Sequence, residues 1–534
     1  MRTGILSALL AVVCTVGASG CFTVEGNEAI TDRYLEARSA RSIEELEASR
    51  RRDVAAAALE LASGADEEAG ELHYLQQEVP EDLVLDLQTS LRLALSSSRR
   101  FLDARESVDL SALALRDAEH LFEPRLASTL DALMTDSRNG PRAFTQGADL
   151  RLEHRNLIGG SLSLEAGSVT SQLNPAFGDT LNSTLNRVGA TYRQPLLRGA
   201  GREVASEPLT QSQRNLVYAV RDFDLFRQDF ALDVLRGYYN LVLRSQVVDN
   251  AHQNLEVLTE LHNESVVLRD IGRADDLDIL RVEQQRLTAE NSVIDSEDGF
   301  ASLVDDFKIL LGLPVDADVE LDLVEPEFVA VNISAARAIQ IAFAYRLDYL
   351  TEKDLLEDAE RQLRLAANNL LPDVDVRASV DLITDPADDP WNADFERRAW
   401  SVGASIDLPL DRVAARNSYR ATRIRLQRRQ RQLALFRDNL ANQVRATLRR
   451  LQRTESTIVI QRRIVEEEEK RYRIANLRYT QGETENRDVV EAAQSYNDAQ
   501  DRMVQNIVDY EIARIQLQRD MGILIVDPDG GIIE

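Results

Sequence analysis

The chain has 534 residues and a net charge of −28, and so acidic a surface excludes nucleic acid as a partner. Only Lys308, Lys353 and Lys470 of its 62 basic residues are lysine, a bias read as genome composition. Past the N-terminus no apolar run approaches the roughly 18 residues of a spanning helix, so any membrane crossing must use β-strands.

Arg2 and the apolar run 5–16 read as a secretory signal peptide, residues 1–20, too short to span a bilayer. Ala18-Ser19-Gly20-Cys21 resembles a bacterial lipobox, with Ala where Leu is commoner three positions before the Cys. Cys21 is therefore the expected lipid attachment site. The other Cys, Cys14, falls in the removed segment, so no disulfide is expected. Residues 21–83 read as a lipid-anchored acidic leader containing a polar helix over 31–63.

From there the chain is written twice. Val188-Gly189-Ala190 with Pro195 recurs as Val402-Gly403-Ala404 with Pro409 at one constant offset; Gly272 and Gly312 recur as Gly482 and Gly522 at another. Pro124 pairs with Pro372, and 85–95 resembles 333–343. A first repeat over 84–314, a linker over 315–332, a second repeat over 333–524 and a tail over 525–534 follow from these markers.

Within the first repeat, helices are expected near 84–96 and 99–122, then strands between Pro124 and Pro195 where alternation replaces helical spacing. Leu162, Leu164 and Ala166 alternate with polar neighbours there, as do Val188, Ala190 and Tyr192. The second repeat is clearer: Val374, Val376, Ala378, Val380 and Leu382 form one alternating strand (372–383), and Val402, Ala404, Ile406, Leu408 and Leu410 another (399–410). Strands of this length, with Trp391 and Trp400 nearby, suit a membrane hairpin. The interval from Pro124 to Pro195 is nearly twice that from Pro372 to Pro409, and its tracts 148–154 and 161–166 suggest an extra hairpin that either widens the sheet or projects outside it.

Each strand region precedes a long helix, near 206–272 and 411–482, then a shorter one near 275–311 and 484–520. At 1.5 Å per residue each long helix is about 100 Å, and two shorter helices end to end match its length. Val489, Tyr496, Met503, Tyr510 and Leu517 recur every seven residues, as do Leu241, Val248 and Leu255, which is coiled-coil spacing. Two or three hairpins are too few to close a barrel, and open edges are not tolerated in hydrocarbon, so several chains must share one.

Gln194-Pro195-Leu196-Leu197-Arg198-Gly199-Ala200-Gly201, Leu477-Arg478-Tyr479-Thr480-Gln481-Gly482 with Asp488-Val489-Val490-Glu491-Ala492, and Leu310-Leu311-Gly312-Leu313-Pro314 together resemble the outer-membrane efflux protein family, the TolC-like exit ducts of Gram-negative bacteria. The second repeat departs at the junction, reading Leu408-Pro409-Leu410-Asp411 without the Gly-rich turn. The resemblance implies a mainly α fold with a membrane β part: a homotrimer sharing a twelve-stranded β-barrel above a long coiled-coil α-barrel. Its partners would be a periplasmic adaptor and an inner-membrane pump, or a type I secretion complex, with outer-membrane lipid around the barrel. It implies no catalysis and no cofactor.

Asp488 and Glu491 lie one helical turn apart just past Gly482 and match the family's acidic pair at the pore constriction. Rings of these carboxylates would favour cations; a solvated helix face is the plain alternative. The first repeat has Asp278, but Arg281 replaces the second acid, so charges of opposite sign could latch the pore. Gly272 and Arg273 in one tip, and Gln481 and Gly482 in the other, mark the expected adaptor-docking surface. The five His lack metal-ligand spacing, and Gly199-Ala200-Gly201 lacks a dinucleotide-binding context. The competing class is a lipid-anchored periplasmic coiled-coil scaffold without a pore.

Overall fold

The computed structural model describes residues 83–534 except 137–141, 175–180, 271–274, 327, 385–394, 396, 482, 527–531 and 534; the side chains of 174, 278, 532 and 533 are also undescribed. The signal peptide, Cys21, the helix expected over 31–63, Trp391, Gly272, Arg273 and Gly482 lie outside the described residues. Residues 1–76 and 77–534 are separate units, and the second is described here.

In the first repeat β1 (Val84–Leu85), α1 (Leu87–Ser97) and α2 (Arg99–His120) precede four strands: β2 (Arg125–Thr135), β3 (Arg142–Arg155), β4 (Ser161–Asn174) and β5 (Leu181–Pro195). A short α3 (Arg202–Ala205) leads into the long α4 (Glu207–Asp270), followed by α5 (Asp276–Leu311) and β6 (Glu320–Leu321). The second repeat runs α6 (Ala335–Tyr345), α7 (Leu347–Asn368), β7 (Asp373–Ile383), β8 (Arg397–Asp407), α8 (Val413–Thr480) and α9 (Asn486–Met521). β9 (Ile525–Val526) and β10 (Ile532–Ile533) close the chain.

The helix expected from 84 begins at Leu87 because Val84 and Leu85 pair in parallel with β6, and the Asp86 carboxylate caps α1 by accepting the Thr89 N–H at 2.6 Å. Ser334 caps α6 through the Arg337 N–H in the same way. Ser98 and Arg346 are extended and break the two helix pairs at matching places. Against each break docks the end of a shorter helix. Gly312 (φ 87°) and Gly522 (φ 73°) take the left-handed conformation there. A Cβ on Gly312 would collide with the Ser97 carbonyl, and one on Gly522 would lie 2.9 Å from the Arg346 backbone.

The strands form one antiparallel sheet in the order β2-β3-β4-β5-β7-β8. Among the described residues the sheet has six strands, where a twelve-stranded barrel takes four from each of three chains. The register sorts its two faces. One face carries an apolar row across every strand, Leu126–Leu152–Leu164–Ala190–Val380–Trp400, and Leu130, Met134, Val402 and Ile406 share it, with Trp400 77% exposed and Leu130 83%. The other face is mainly polar, with Leu133, Val169 and Leu185 toward its far end. Its ion pairs cross the strands: Arg151–Glu165 at 3.1 Å, Arg187–Asp381 at 2.8 Å and Arg193–Asp375 at 2.5 Å.

α2 and α5 lie along α4, and α7 and α9 along α8, so two shorter helices do flank each long one. α4 also packs against α7 and α9, which gives the layer order α2/α5, α4, α7/α9, α8. The seven-residue seam holds in α9, where Val489, Tyr510 and Leu517 are buried with Ala492, Ala499 and Ala513, while Tyr496 and Met503 are half-buried. In α8 a matching step buries Val444, Leu451 and Ile458. Most of the apolar core gathers midway along, where α1, α4, α5 and α9 meet, with a second cluster among α6, α8 and α9.

Beside the apolar core that α9 shares with α4, the seam between the repeats carries a series of polar ties. Arg214 pairs with Asp358 at 2.5 Å, Tyr218 donates to Asp358 at 2.7 Å, Arg221 reaches Asp354 at 2.6 Å, and Arg361 of α7 bonds Glu207 at 2.8 Å. Burial raises the Tyr218 pKa, with the Arg214 contact opposing it. Lower down, Arg519 grips Asp229 (2.5 Å), Arg236 donates to Gln516 (2.6 Å) and Asn250 donates to Asp501 (2.5 Å). Asp358 is the hub of the upper network, with a side chain 8% exposed. Asp358→Ala removes the buried carboxylate shared by Arg214, Tyr218 and Arg361, leaving Arg361 to Glu207 and Arg214 to Glu357, and is expected to cost about 2 kcal/mol, read as a lowered urea midpoint; an unchanged midpoint removes the network from the stabilising terms.

Candidate functional site at the helical tips

The ends of α4 and α8 and the starts of α5 and α9 meet at the pole of the helical body opposite the sheet. A small core holds them: Leu261 of α4, Val282 of α5, Tyr479 of α8 and Val489 of α9, with Leu268, Tyr472, Ala475 and Val490 around it. One buried hydrogen bond crosses the repeats, Ser265 Oγ to the Tyr479 hydroxyl at 2.8 Å. Ser265 gives its one hydroxyl proton to the Leu261 carbonyl at 2.7 Å, so in the bond between the tips Tyr479 donates and Ser265 accepts. Tyr472 stacks on Tyr496 with ring centroids 6.4 Å apart and planes 2° from parallel.

Asp488 and Glu491 are both exposed on α9, while Val489 and Ala492 turn inward. Asp488 sits in the first turn, where a carboxylate is favoured by the helix dipole, and accepts a short hydrogen bond from the Thr484 hydroxyl. Glu491 pairs with Arg471 of α8 at 3.0 Å. That hydrogen bond, with Glu468 adding to it, raises the Arg471 pKa and keeps the guanidinium charged. The acidic pair therefore differs internally: Asp488 serves its own helix start, and Glu491 ties α9 to α8.

Arg281 is exposed on α5 beside buried Val282, while Asp278 is placed by its backbone alone. Gln481 is the exposed C-cap of α8, its N–H bonded to the Leu477 carbonyl at 3.3 Å. Within the chain Glu491 meets Arg471 rather than Arg281, a partner the comparison of repeats did not pick out. Tyr479 lies in the tip motif read from the sequence, but its bond to Ser265 was not foreseen, nor was Arg471; the spacing of twenty between Arg471 and Glu491, across a helix turn, is the signal that could have found that pair.

Residues 340–522 match the family model for outer membrane efflux protein. Over that stretch, most of the second repeat, the chain is similar to this family. No curated protein matches it. Among solved structures it is similar to the outer-membrane channel OprN, at 16% identity over 82% of this chain and 89% of that one (TM-score 0.63). The outer membrane protein VceC of Vibrio cholerae matches at 14% identity over 82% and 96% (TM-score 0.63), and the CmeC outer membrane channel of Campylobacter jejuni at 12% over 82% and 85% (TM-score 0.63). At these identities the likeness is one of fold, and it covers both repeats.

Losing the Tyr479 hydroxyl removes the buried bond between the tips. Tyr479→Phe is expected to weaken the tip by about 1 kcal/mol, speeding amide hydrogen exchange over 258–268 roughly fivefold; unchanged exchange there would show that the bond holds nothing shut.

Proposed function

We propose that this protein is the exit duct of a tripartite efflux or type I secretion system, a passive gated channel through the outer membrane and periplasm. The observation that carries this is the pairing of a six-stranded sheet, apolar on one face and charged on the other, with helices about 100 Å long. The sheet fits a wall between hydrocarbon and water. The helices fit a conduit across an aqueous compartment. The duct carries out no chemistry; the energy comes from a pump in the inner membrane.

A homotrimer is the assembly we favour, and the edges of the helical layer support head-to-tail closure. α8 at one edge holds 17 Arg and one Lys against six acidic residues. α5 at the other holds nine acidic residues against three basic. A ring brings these unlike edges together between neighbouring copies. The tips, with Gly272, Arg273, Gln481 and Gly482, are proposed as the docking surface for a periplasmic adaptor, and Asp488 and Glu491, with Asp278 and Arg281, as the constriction. The lipobox places the N-terminus in the outer membrane through acylated Cys21.

Purified protein reconstituted in planar bilayers is expected to form discrete channels, and Asp488→Ala with Glu491→Ala to alter their conductance and their block by divalent cations. A soluble extended dimer with no channel activity would replace the duct by the scaffold; unchanged conductance and block would remove the acidic pair from the constriction. Cells grown with labelled palmitate should label the parent chain but not Cys21→Ser, and equal labelling would refute acylation at Cys21.

A further inference from the structure

The interval that makes the first repeat longer than the second is built as wall. β3 and β4 are interposed between β2 and β5 rather than appended to an edge. β3 is in register with β2 from Arg125↔Glu153 to Thr135↔Ala143, and with β4 along its whole length. β4 continues that register into β5 from Ser161↔Arg193 to Leu173↔Leu181. A hairpin projecting from the membrane surface would leave β2 and β5 to pair with each other; here each pairs with the inserted hairpin.

Chemistry follows the register. Leu152 and Leu164 occupy the middle of the apolar row between Leu126 and Ala190, and Leu150 beside them is 46% exposed on the same face. On the opposite face Arg151 and Glu165 form an ion pair across the hairpin itself. The inserted strands thus have the same apolar and charged sides as the four around them.

The hairpin's turn is also fitted to the strand-to-helix junction. The Asn156 side chain accepts the Gly160 N–H at 2.6 Å, and the Ile158 carbonyl accepts the Gly201 N–H at 3.2 Å. Gly159 (φ 98°) approaches so closely that a Cβ there would lie 2.5 Å from the Gly199 carbonyl oxygen. The Gly-rich turn of the first repeat, absent from the second, is the seat of this hairpin.

We propose that β3 and β4 are membrane wall and that three copies, joined β8 to β2, close a barrel of eighteen strands, three times six. Barrel diameter rises roughly linearly with strand number, so the exit is about 1.5 times as wide as a twelve-stranded one. The size limit on cargo then falls to the helical tips, and the barrel presents a wide, charge-lined mouth. The trimer and the membrane in this inference rest on the duct proposed above.

Spin labels on Leu150→Cys and Leu164→Cys test the inserted strands, with Val380→Cys and Val402→Cys as references on β7 and β8, all in the full chain in liposomes. Collisional relaxation by oxygen over a water-soluble nickel chelate is expected at all four sites. Oxygen-dominated references with nickel-dominated labels at 150 and 164 would overturn the wall and leave the duct standing; nickel dominance at 380 and 402 would overturn both. Electron cryomicroscopy of the same preparation should count eighteen strands, and any other count overturns the proposal.

Discussion

A strand in hydrocarbon cannot leave its backbone N–H and C=O groups unpaired, because nothing there replaces water. In the proposed duct the sheet of this chain answers to that constraint. Its sheet ends in two edges, β2 and β8, and presents an apolar face too large to leave in water. Copies placed edge to edge satisfy both needs at once. The helical layer runs in the same sense, since β2 follows α2 at one border and β8 precedes α8 at the other. One head-to-tail contact in the proposed assembly would therefore close barrel and shaft together.

Within a chain, the two repeats are joined differently from the helices of each repeat. Apolar residues fill the seam between α8 and α9, and between α4 and α5, at coiled-coil spacing. Between the repeats, Val508 and Ile515 of α9 join the core of α4, and directional polar ties are added along the seam: Arg214, Tyr218 and Arg221 above, Asp229, Arg236 and Asn250 below, and Ser265 at the tip. Polar ties are directional and fix register. A joint of this kind suits a body whose lower end is proposed to open, with the Ser265–Tyr479 bond its last link. The buried Asp501 carboxyl belongs to the same seam; burial raises its pKa, against the lowering effect of the Asn250 hydrogen bond.

The tips show how one residue pair can hold two jobs. Asp488 and Glu491 look equivalent at a spacing of three. In place, the first stabilises the start of α9 and the second holds Arg471 across the helix turn. Both remain exposed, so both carboxylates still face solvent where a constriction would form. The basic partner of Glu491 lies within its own repeat, which leaves Arg281 of the first repeat available to the comparison of repeats only as a difference in sign, not as the observed counter-ion.

Local pattern alone determined the duplication, the lengths of α4, α5, α8 and α9, and the second hairpin, because helical and alternating periodicity survive in sequence wherever one face is consistently buried. Gly312 and Gly522 were legible for the same reason: only a left-handed cap pressed against a neighbouring backbone demands glycine at both places. β2 was not legible. Leu126, Leu130, Leu133 and Met134 are spaced as a helix would space them, and only pairing with β3 makes them a strand. The count of six strands, the apolar row running through all of them, and the pairs Ser265–Tyr479 and Arg471–Glu491 were likewise decided by tertiary structure. Each joins residues distant in the chain or split by a turn, and register between strands or helices is set by which partners meet, which no local period records.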